Sequence, residues 1–289
     1  MAFQGTKINP KRFDKSQLKF YAVLVPMAIF MILPVIFIIS QAFKPLDELF
    51  MFPPRFFVIR PTFQNFEDLW RTSSGTGIPM TRYLFNSIIS TSITVFLSVM
   101  ITASAAYVLS KKNFKIKNWL FSVNQVALMF VPIAVSIPRF IIIDQTKLMD
   151  NFLVHIFPAL ALPVGLFLVK QFMDQVPDAV IEAAKLDGAN DYQILLKIII
   201  PLVKPALATV GILTFQISWN ATEASTLYIT NETLRTFAFY LSSLTSATNT
   251  VAGVGMAAAA GLIMFLPNLF IFILLQSKVM NTMTHSGVK

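Results

Sequence analysis

Six apolar stretches, each about long enough to cross a lipid bilayer, leave this chain few ways to fold. They run approximately from Phe20 to Phe43, Leu84 to Leu109, Leu120 to Ile143, Phe152 to Val169, Ala206 to Thr230 and Val254 to Gln276. A helix rising ~1.5 Å per residue needs about 20 mainly apolar residues to cross a hydrocarbon core ~30 Å thick. Hydrocarbon offers the backbone no hydrogen bonds, so each stretch is predicted to be a helix and the fold class all-α, with six transmembrane helices. Pro132, Pro138, Pro158, Pro163 and Pro267 fall inside these stretches, where neighbouring helices can satisfy the freed carbonyls. The chain is 55% hydrophobic and only 13% charged, with mean hydropathy +0.68, outside the range of soluble domains.

Lysine and arginine placement sets an expected orientation. Lys7, Lys11, Arg12, Lys15 and Lys19 precede the first span, and Lys111, Lys112, Lys115 and Lys117 follow the second with no acidic residue among them. Both segments are assigned to the cytoplasm. The first apolar stretch is too long for a signal-peptide core and lacks a small-residue cleavage pattern, so it reads as a retained span. The expected organisation is a cytoplasmic tail (1–19), a first span (20–43), an extracytoplasmic loop (44–82), a membrane core (83–276) and a second cytoplasmic tail (277–289). The 44–82 loop carries Phe50, Phe52, Phe56, Phe57, Phe63, Phe66 and Trp70 and is expected to fold as a cap that meets an external protein. The net charge of +9 is accounted for by topology and contact with membrane lipid, without nucleic acid.

One polar stretch interrupts the apolar second half. Val176 to Pro205 reads V-P-D-A-V-I-E-A-A-K-L-D-G-A-N-D-Y-Q-I-L-L-K-I-I-I-P-L-V-K-P and predicts two short helices joined by a sharp turn. Pro177 suits a first helical position, and Asp178 and Glu182 place negative charge near the positive end of the helix dipole. Gly188 sits where a left-handed residue stops a helix. Asn190 with Gln193 resembles a capping box, Ile194, Leu195, Ile198 and Ile199 form an apolar face, and Pro201 ends the second helix. Ala183 and Ala184 are small enough for a partner to approach closely. The topology count puts this loop (176–201) on the cytoplasmic side.

No chemistry of catalysis accompanies it. The chain has no cysteine, no phosphate-binding glycine loop, no metal-type cluster and no nucleophile–base pair, so this chain is not expected to be an enzyme or to bind a cofactor. His155 and His285 lie far apart; His155 reads as a packed or pore-facing side chain.

The spacing Glu182-Ala183-Ala184, Gly188, Ile198, Ile200-Pro201 closely resembles the E-A-A-x3-G-x9-I-x-L-P loop of bacterial binding-protein-dependent ABC importer permeases, with Ile200 in place of Leu. Asn86-Ser87, Phe172 to Pro177, Lys204-Pro205-Ala206 and Trp219-Asn220 resemble the carbohydrate branch, in the style of the maltose-type second permease subunit. The likeness extends from about Tyr83 to the C-terminus. It implies a bacterial inner-membrane permease with both termini cytoplasmic, paired with a second homologous permease subunit. It also implies two ATPase subunits, which carry the ATP and Mg, and an extracytoplasmic binding protein that delivers an oligosaccharide or related glycoside. Glu182, Ala183, Ala184, Asp187 and Gly188 would couple to the ATPase. The chain departs from the family pattern after Asn220, at Ala221 to Thr226.

Ionisable groups inside spans face a wet interior or a partner. Arg139 and Glu223 are therefore candidates for the solute path or for solvated positions near span ends. Asn220 and Thr226 lie three residues either side of Glu223, so one helix would turn all three to roughly the same face, with Trp219 beside them as a stacking surface. An ion pair of Glu223 with Arg139 is the alternative. An ABC permease for a non-sugar solute, and an ion-coupled secondary transporter, are the competing functions; the second leaves the loop without a role.

Overall fold

A computed structural model describes residues 17–71, 77–246 and 251–286; most of the basic N-terminal tail, part of the 44–82 loop and the last three residues lie outside them. Every regular element among the described residues is helical: α1 (Leu18–Ala42), α2 (Leu46–Leu49), α3 (Gln64–Arg71), α4 (Met80–Lys111), α5 (Lys117–Ala127), α6 (Ser136–Gln145), α7 (Phe157–Leu160), α8 (Pro163–Asp174), α9 (Asp178–Leu186), α10 (Asp191–Gln193), α11 (Ile200–Leu202), α12 (Lys204–Trp219), α13 (Glu223–Leu227), α14 (Phe237–Ser246) and α15 (Val251–Ser286). α15 continues through most of the segment expected to be a tail.

Three of the expected spans are single helices long and apolar enough to cross a membrane, namely α1, α4 and the Gly253–Leu274 part of α15. The expected third and fourth spans are bent pairs rather than continuous rods. Lys117–Ala127 meets Pro132–Gln145 at 110°, and Phe152–Leu160 meets Pro163–Asp174 at 43°; ahead of the expected fifth span, Asp191–Leu202 of the polar loop meets Lys204–Leu227 at 84°. The first two breaks have one cause: a residue before proline is pushed out of the helical region. Val131, before Pro132, is extended at φ −76°, ψ 135°, and Leu162, before Pro163, lies at φ −114°, ψ 86°. The expected fifth span is itself interrupted at 220–222, between α12 and α13, where Asn220 turns its amide back onto Gln216 O (2.7 Å). Such local side-chain bonds compete with the helix ladder.

The chain divides into two compact units. The first comprises residues 1–69 and 247–262. In it α1 leaves nearly all of its apolar surface exposed, with only Ser40 and Ala42 buried, as suits a helix facing hydrocarbon. Segment 44–69 is folded: the buried Glu48 carboxylate accepts from the N–H groups of Ile59 (3.0 Å) and Arg60 (2.9 Å), which hold it below the usual carboxylate pKa. The buried Asn65 amide donates to Ala42 O (3.0 Å) and Lys44 O (2.7 Å). Phe43 packs edge-on against Phe63 and tilted against Phe66, whereas Phe50, Phe52, Phe57 and Phe63 remain exposed.

The second unit comprises 70–246 and 263–289. Its core joins Ala103, Ala106 and Tyr107 of α4, Val169 and Met173 of α8, and Ala206, Leu207 and Val210 of α12 with Ile181, Ala184, Ile194, Leu195 and Ile199 of the polar loop. Small residues let α4 approach its neighbours, and hydroxyls link them: Ser98 Oγ lies 3.2 Å from Thr214 Oγ1, and Ser218 Oγ donates to Thr91 Oγ1 (3.3 Å). Such side chains are the usual interhelical contacts within a membrane. Asn124 plays the same part by donating to Pro163 O at 3.1 Å. At the Met80 end of α4, Asn86 Nδ2 donates to Thr233 O (2.8 Å) and Arg235 O (2.9 Å), and the Ser87 hydroxyl accepts from Phe237 N (2.8 Å). His155 is packed here, 3.0 Å from Leu234 O.

Candidate functional site

The polar loop has the two helices and the sharp turn its sequence dictates, although Pro177 does not take the first helical position. α9 begins at Asp178, with Pro177 as the extended residue before it; Asp178 is the acid of the first turn and Glu182 lies beyond it. The helix ends at Gly188, φ +82°, where Gly188 N donates to Lys185 O (3.0 Å) and Ala189 N to Ala184 O (2.9 Å). This paired closure is the Schellman arrangement, and it requires a left-handed residue. α10 then starts from a reciprocal capping box, Gln193 N to Asn190 Oδ1 and Asn190 N to Gln193 Oε1, both 2.9 Å.

Residues Ile194–Ile199 form a π-helical turn rather than a regular α-helix, a widening often found at functional sites. The helix then runs through Pro201 as α11 and stops at Val203. Pro201 has no N–H for the preceding turn, and the wide turn accommodates it. Ile194, Leu195 and Ile199 are buried as expected, while Ile198 packs partly against the same core. Ala184 is also buried in that core. Its small side chain therefore serves packing within the chain, and of the alanine pair only Ala183 faces outward. The outward face carries Ala183, Glu182, Asp187 and Gly188, flanked by Leu186 and Tyr192, which are 90% and 79% exposed.

The α4 lysines expected to mark topology also grip this loop. Lys111 Nζ lies 2.8 Å from Asp178 Oδ1 and donates to Val176 O, and Lys112 Nζ lies 2.6 Å from Asp191 Oδ1, which also accepts from Tyr107 OH at 3.4 Å. The Lys112 bond lowers the Asp191 pKa, and the same contact raises that of Lys112. Ser110 Oγ donates to Asp174 Oδ1 (2.6 Å), and Lys170 pairs with Asp174 Oδ2 (2.7 Å). Sequence reasoning missed these partners. The available signal was an acid at the first position of each loop helix beside two consecutive lysines.

The expected path residues separate into two places. Arg139 Nη1 pairs with both Glu223 oxygens at 3.2 and 3.1 Å, and Tyr228 OH reaches Glu223 Oε1 at 3.4 Å. The ion-pair alternative is thus the geometry found, and Glu223 begins α13 instead of lying mid-helix. Asn220 is on the other side of the break, its Oδ1 accepting from Asn268 Nδ2 at 3.4 Å, and Thr226 Oγ1 bonds Thr222 O at 2.9 Å. Trp219 is only 4% exposed. Its indole N–H donates to Met264 O (3.0 Å) and its ring stacks on Phe215, so it is no free stacking platform. Trp219 borders a cavity of about 900 Å³ between α4, α12 and α15 that is apolar except for Thr91 and Ser92. Arg139 lines a different cavity of about 620 Å³ with Phe130, Pro138, Thr146 and Phe157.

Residues 98–277 match the family described as the binding-protein-dependent transport system inner membrane component. The chain is 32% identical over 228 residues to a putative ABC transporter permease protein ORF2 of Caldicellulosiruptor sp. (strain Rt8B.4), covering 78% of this chain and 80% of that protein. It is 27% identical over 273 residues to the trehalose transport system permease protein SugB of Mycobacterium tuberculosis, covering 93% and 97%. The fold resembles that of a bacterial ABC transporter involved in the import of the acidic polysaccharide alginate, with TM-score 0.75 and 23% identity over 93% of this chain and 99% of that one. The helical architecture, the E-A-A loop and these matches together make the chain a member of the family of inner membrane components of binding-protein-dependent transport systems, the permeases of ABC importers.

Proposed function

We propose that this permease imports an oligosaccharide or related glycoside, and that its α9–α10 loop docks on a separate ATPase subunit where ATP and Mg are held. The observation that carries the docking is the outward face around Gly188. Leu186 projects from α9, whose opposite face buries Ile181 and Ala184, and Tyr192 from α10, which runs directly into the buried Ile194 and Leu195; exposed large side chains on a rigid support are the usual anchors of an interface. Glu182 and Asp187 beside them supply negative charge for a cationic rim. A second homologous permease subunit completes the path, and an extracytoplasmic binding protein delivers the solute onto a surface that includes the exposed aromatics of 50–70. Both termini are then cytoplasmic. Sugar cargo is supported by the names of relatives, which include permeases for trehalose and for arabinooligosaccharides.

The test is affinity purification of the tagged chain from its native membrane. An ATPase subunit should travel with it, and Leu186→Ser with Tyr192→Ser should reduce its recovery by about 30-fold, the scale of one interface hot spot, while the permease stays folded. Full recovery of the ATPase with the double variant would refute docking through this face.

A further inference from the structure

Lys111 and Lys112 follow one another at one end of α4 yet reach the starts of two different loop helices. Lys111 meets Asp178 and Val176 O; its side chain is only 7% exposed while that of Asp178 is 76% exposed. Lys112 meets Asp191. A residue needed only for its charge would not have to be buried, and a nearly buried ammonium has to be fully paired. Each aspartate is the first residue of its helix, where the dipole already favours a negative charge. Ser110, Asp174 and Lys170 extend the cluster to the end of α8.

Holding the loop to the body of the protein does not require these ion pairs. Burial of Ile181, Ile194 and Ile199 contributes more than two partly exposed ion pairs can. What the pairs add is register, since they fix where the loop sits along α4. This helix has 32 residues, a rod of about 48 Å. At its other end Asn86, Ser87 and Tyr83 hold Thr233, Arg235, Phe237 and Glu232, and its middle lines the larger cavity through Thr91 and Ser92.

We propose that Lys111 and Lys112 are positioning residues that clamp the loop to α4, so that a displacement of the loop is carried along α4 to the cavity and to the 232–237 segment. The proposal rests on the docking of this loop by an ATPase. Because the chain has no cysteine, single thiols report on it cleanly. In the purified complex in nanodiscs, Ser92→Cys should react with a charged methanethiosulfonate at different rates before and after trapping with ATP, Mg and vanadate. Lys112→Gln or Asp191→Asn should shrink that difference about fivefold while the ATPase still co-purifies, and Lys112→Asp with Asp191→Lys together should restore it. An undiminished difference in the single variants, no difference in the parent, or a double variant no better than the singles would overturn the clamp.

A second measurement separates this from the docking itself. Spin labels at Val108→Cys and Lys197→Cys in the full chain, with no ATPase present, should give one narrow distance distribution that broadens in Lys112→Gln and narrows again in the charge-swapped pair. If no ATPase co-purifies with the parent chain, the docking fails and this distribution alone decides the clamp. An identical distribution in all variants overturns it.

Discussion

Gly188 offers a substitution whose effect can be worked out before it is measured. Its φ is +82°, and a Cβ added there meets no atom within 4 Å. Crowding is therefore excluded as a source of cost, and only backbone conformation remains. A left-handed residue other than glycine costs about 1–2 kcal/mol, with asparagine the most tolerant and β-branched residues the least. Gly188→Asn should thus stay near the parent, Gly188→Ala should lose about 1 kcal/mol, and Gly188→Val should lose about 2 kcal/mol or more. The amides that close the helix, Gly188 N on Lys185 O and Ala189 N on Ala184 O, read this directly. Their hydrogen exchange in Gly188→Val should quicken by about 30-fold or more, the population equivalent of about 2 kcal/mol or more. Recovery of the ATPase should fall in the same order. If valine and asparagine exchange alike, or if alanine is worse than valine, left-handed strain is not what holds the turn and the account of this loop is wrong.

Other substitutions probe the rest of the molecule. Gly255→Ala would put its Cβ 2.3 Å from Asn65 Oδ1, breaking the amide's two bonds to Ala42 O and Lys44 O; a loss of about 1–3 kcal/mol should appear as faster proteolysis of segment 44–69, and Asn65→Ala should mimic it. Glu223→Gln should leave assembly intact if Glu223 serves the solute path, whereas an assembly defect relieved by also changing Arg139→Gln would assign the pair to helix packing; measured assembly and uptake of trehalose as a trial solute separate the two. The Lys112–Asp191 pair has a predictable pH range. Asp191 is depressed, so its contribution is present above the ordinary carboxylate pKa and lost as pH falls through the lower folded value. Lys112 is raised, so its contribution is present below the ordinary lysine pKa and lost as pH rises through the higher folded value. Spin-label distances between positions 108 and 197 should therefore stay constant from about pH 5.5 to about pH 9, and a transition near neutrality would contradict the assignment.

How far the sequence could be read depended on whether a feature was local. The left-handed stop at Gly188 and the Asn190–Gln193 capping box are set by a few adjacent residues, and both stand in the structure. The breaks before Pro132 and Pro163 were local too, but inside apolar stretches proline was read as tolerated, and its constraint on the preceding residue was not applied. The π-turn at Ile194–Ile199 depends on the joint demands of the buried isoleucines and Pro201, which periodicity alone does not expose. Contacts between distant parts were least legible. Ala184 looked available to a partner but is buried in the same core as Ile181 and Ile194, Trp219 looked like a platform but donates to Met264 O, and Lys112 looked like a topology signal but reaches Asp191.

Hydrogen exchange across the whole loop tests the central claim most directly. The chain in nanodiscs would be compared alone and with its co-purified ATPase subunit, reading the amides from Asp178 to Val203. Docking through the Leu186–Tyr192 face predicts slower exchange in α9 and in the 187–193 turn when the ATPase is bound, with no slowing in segment 44–69. Equal exchange of the 178–203 amides in the two samples would contradict it.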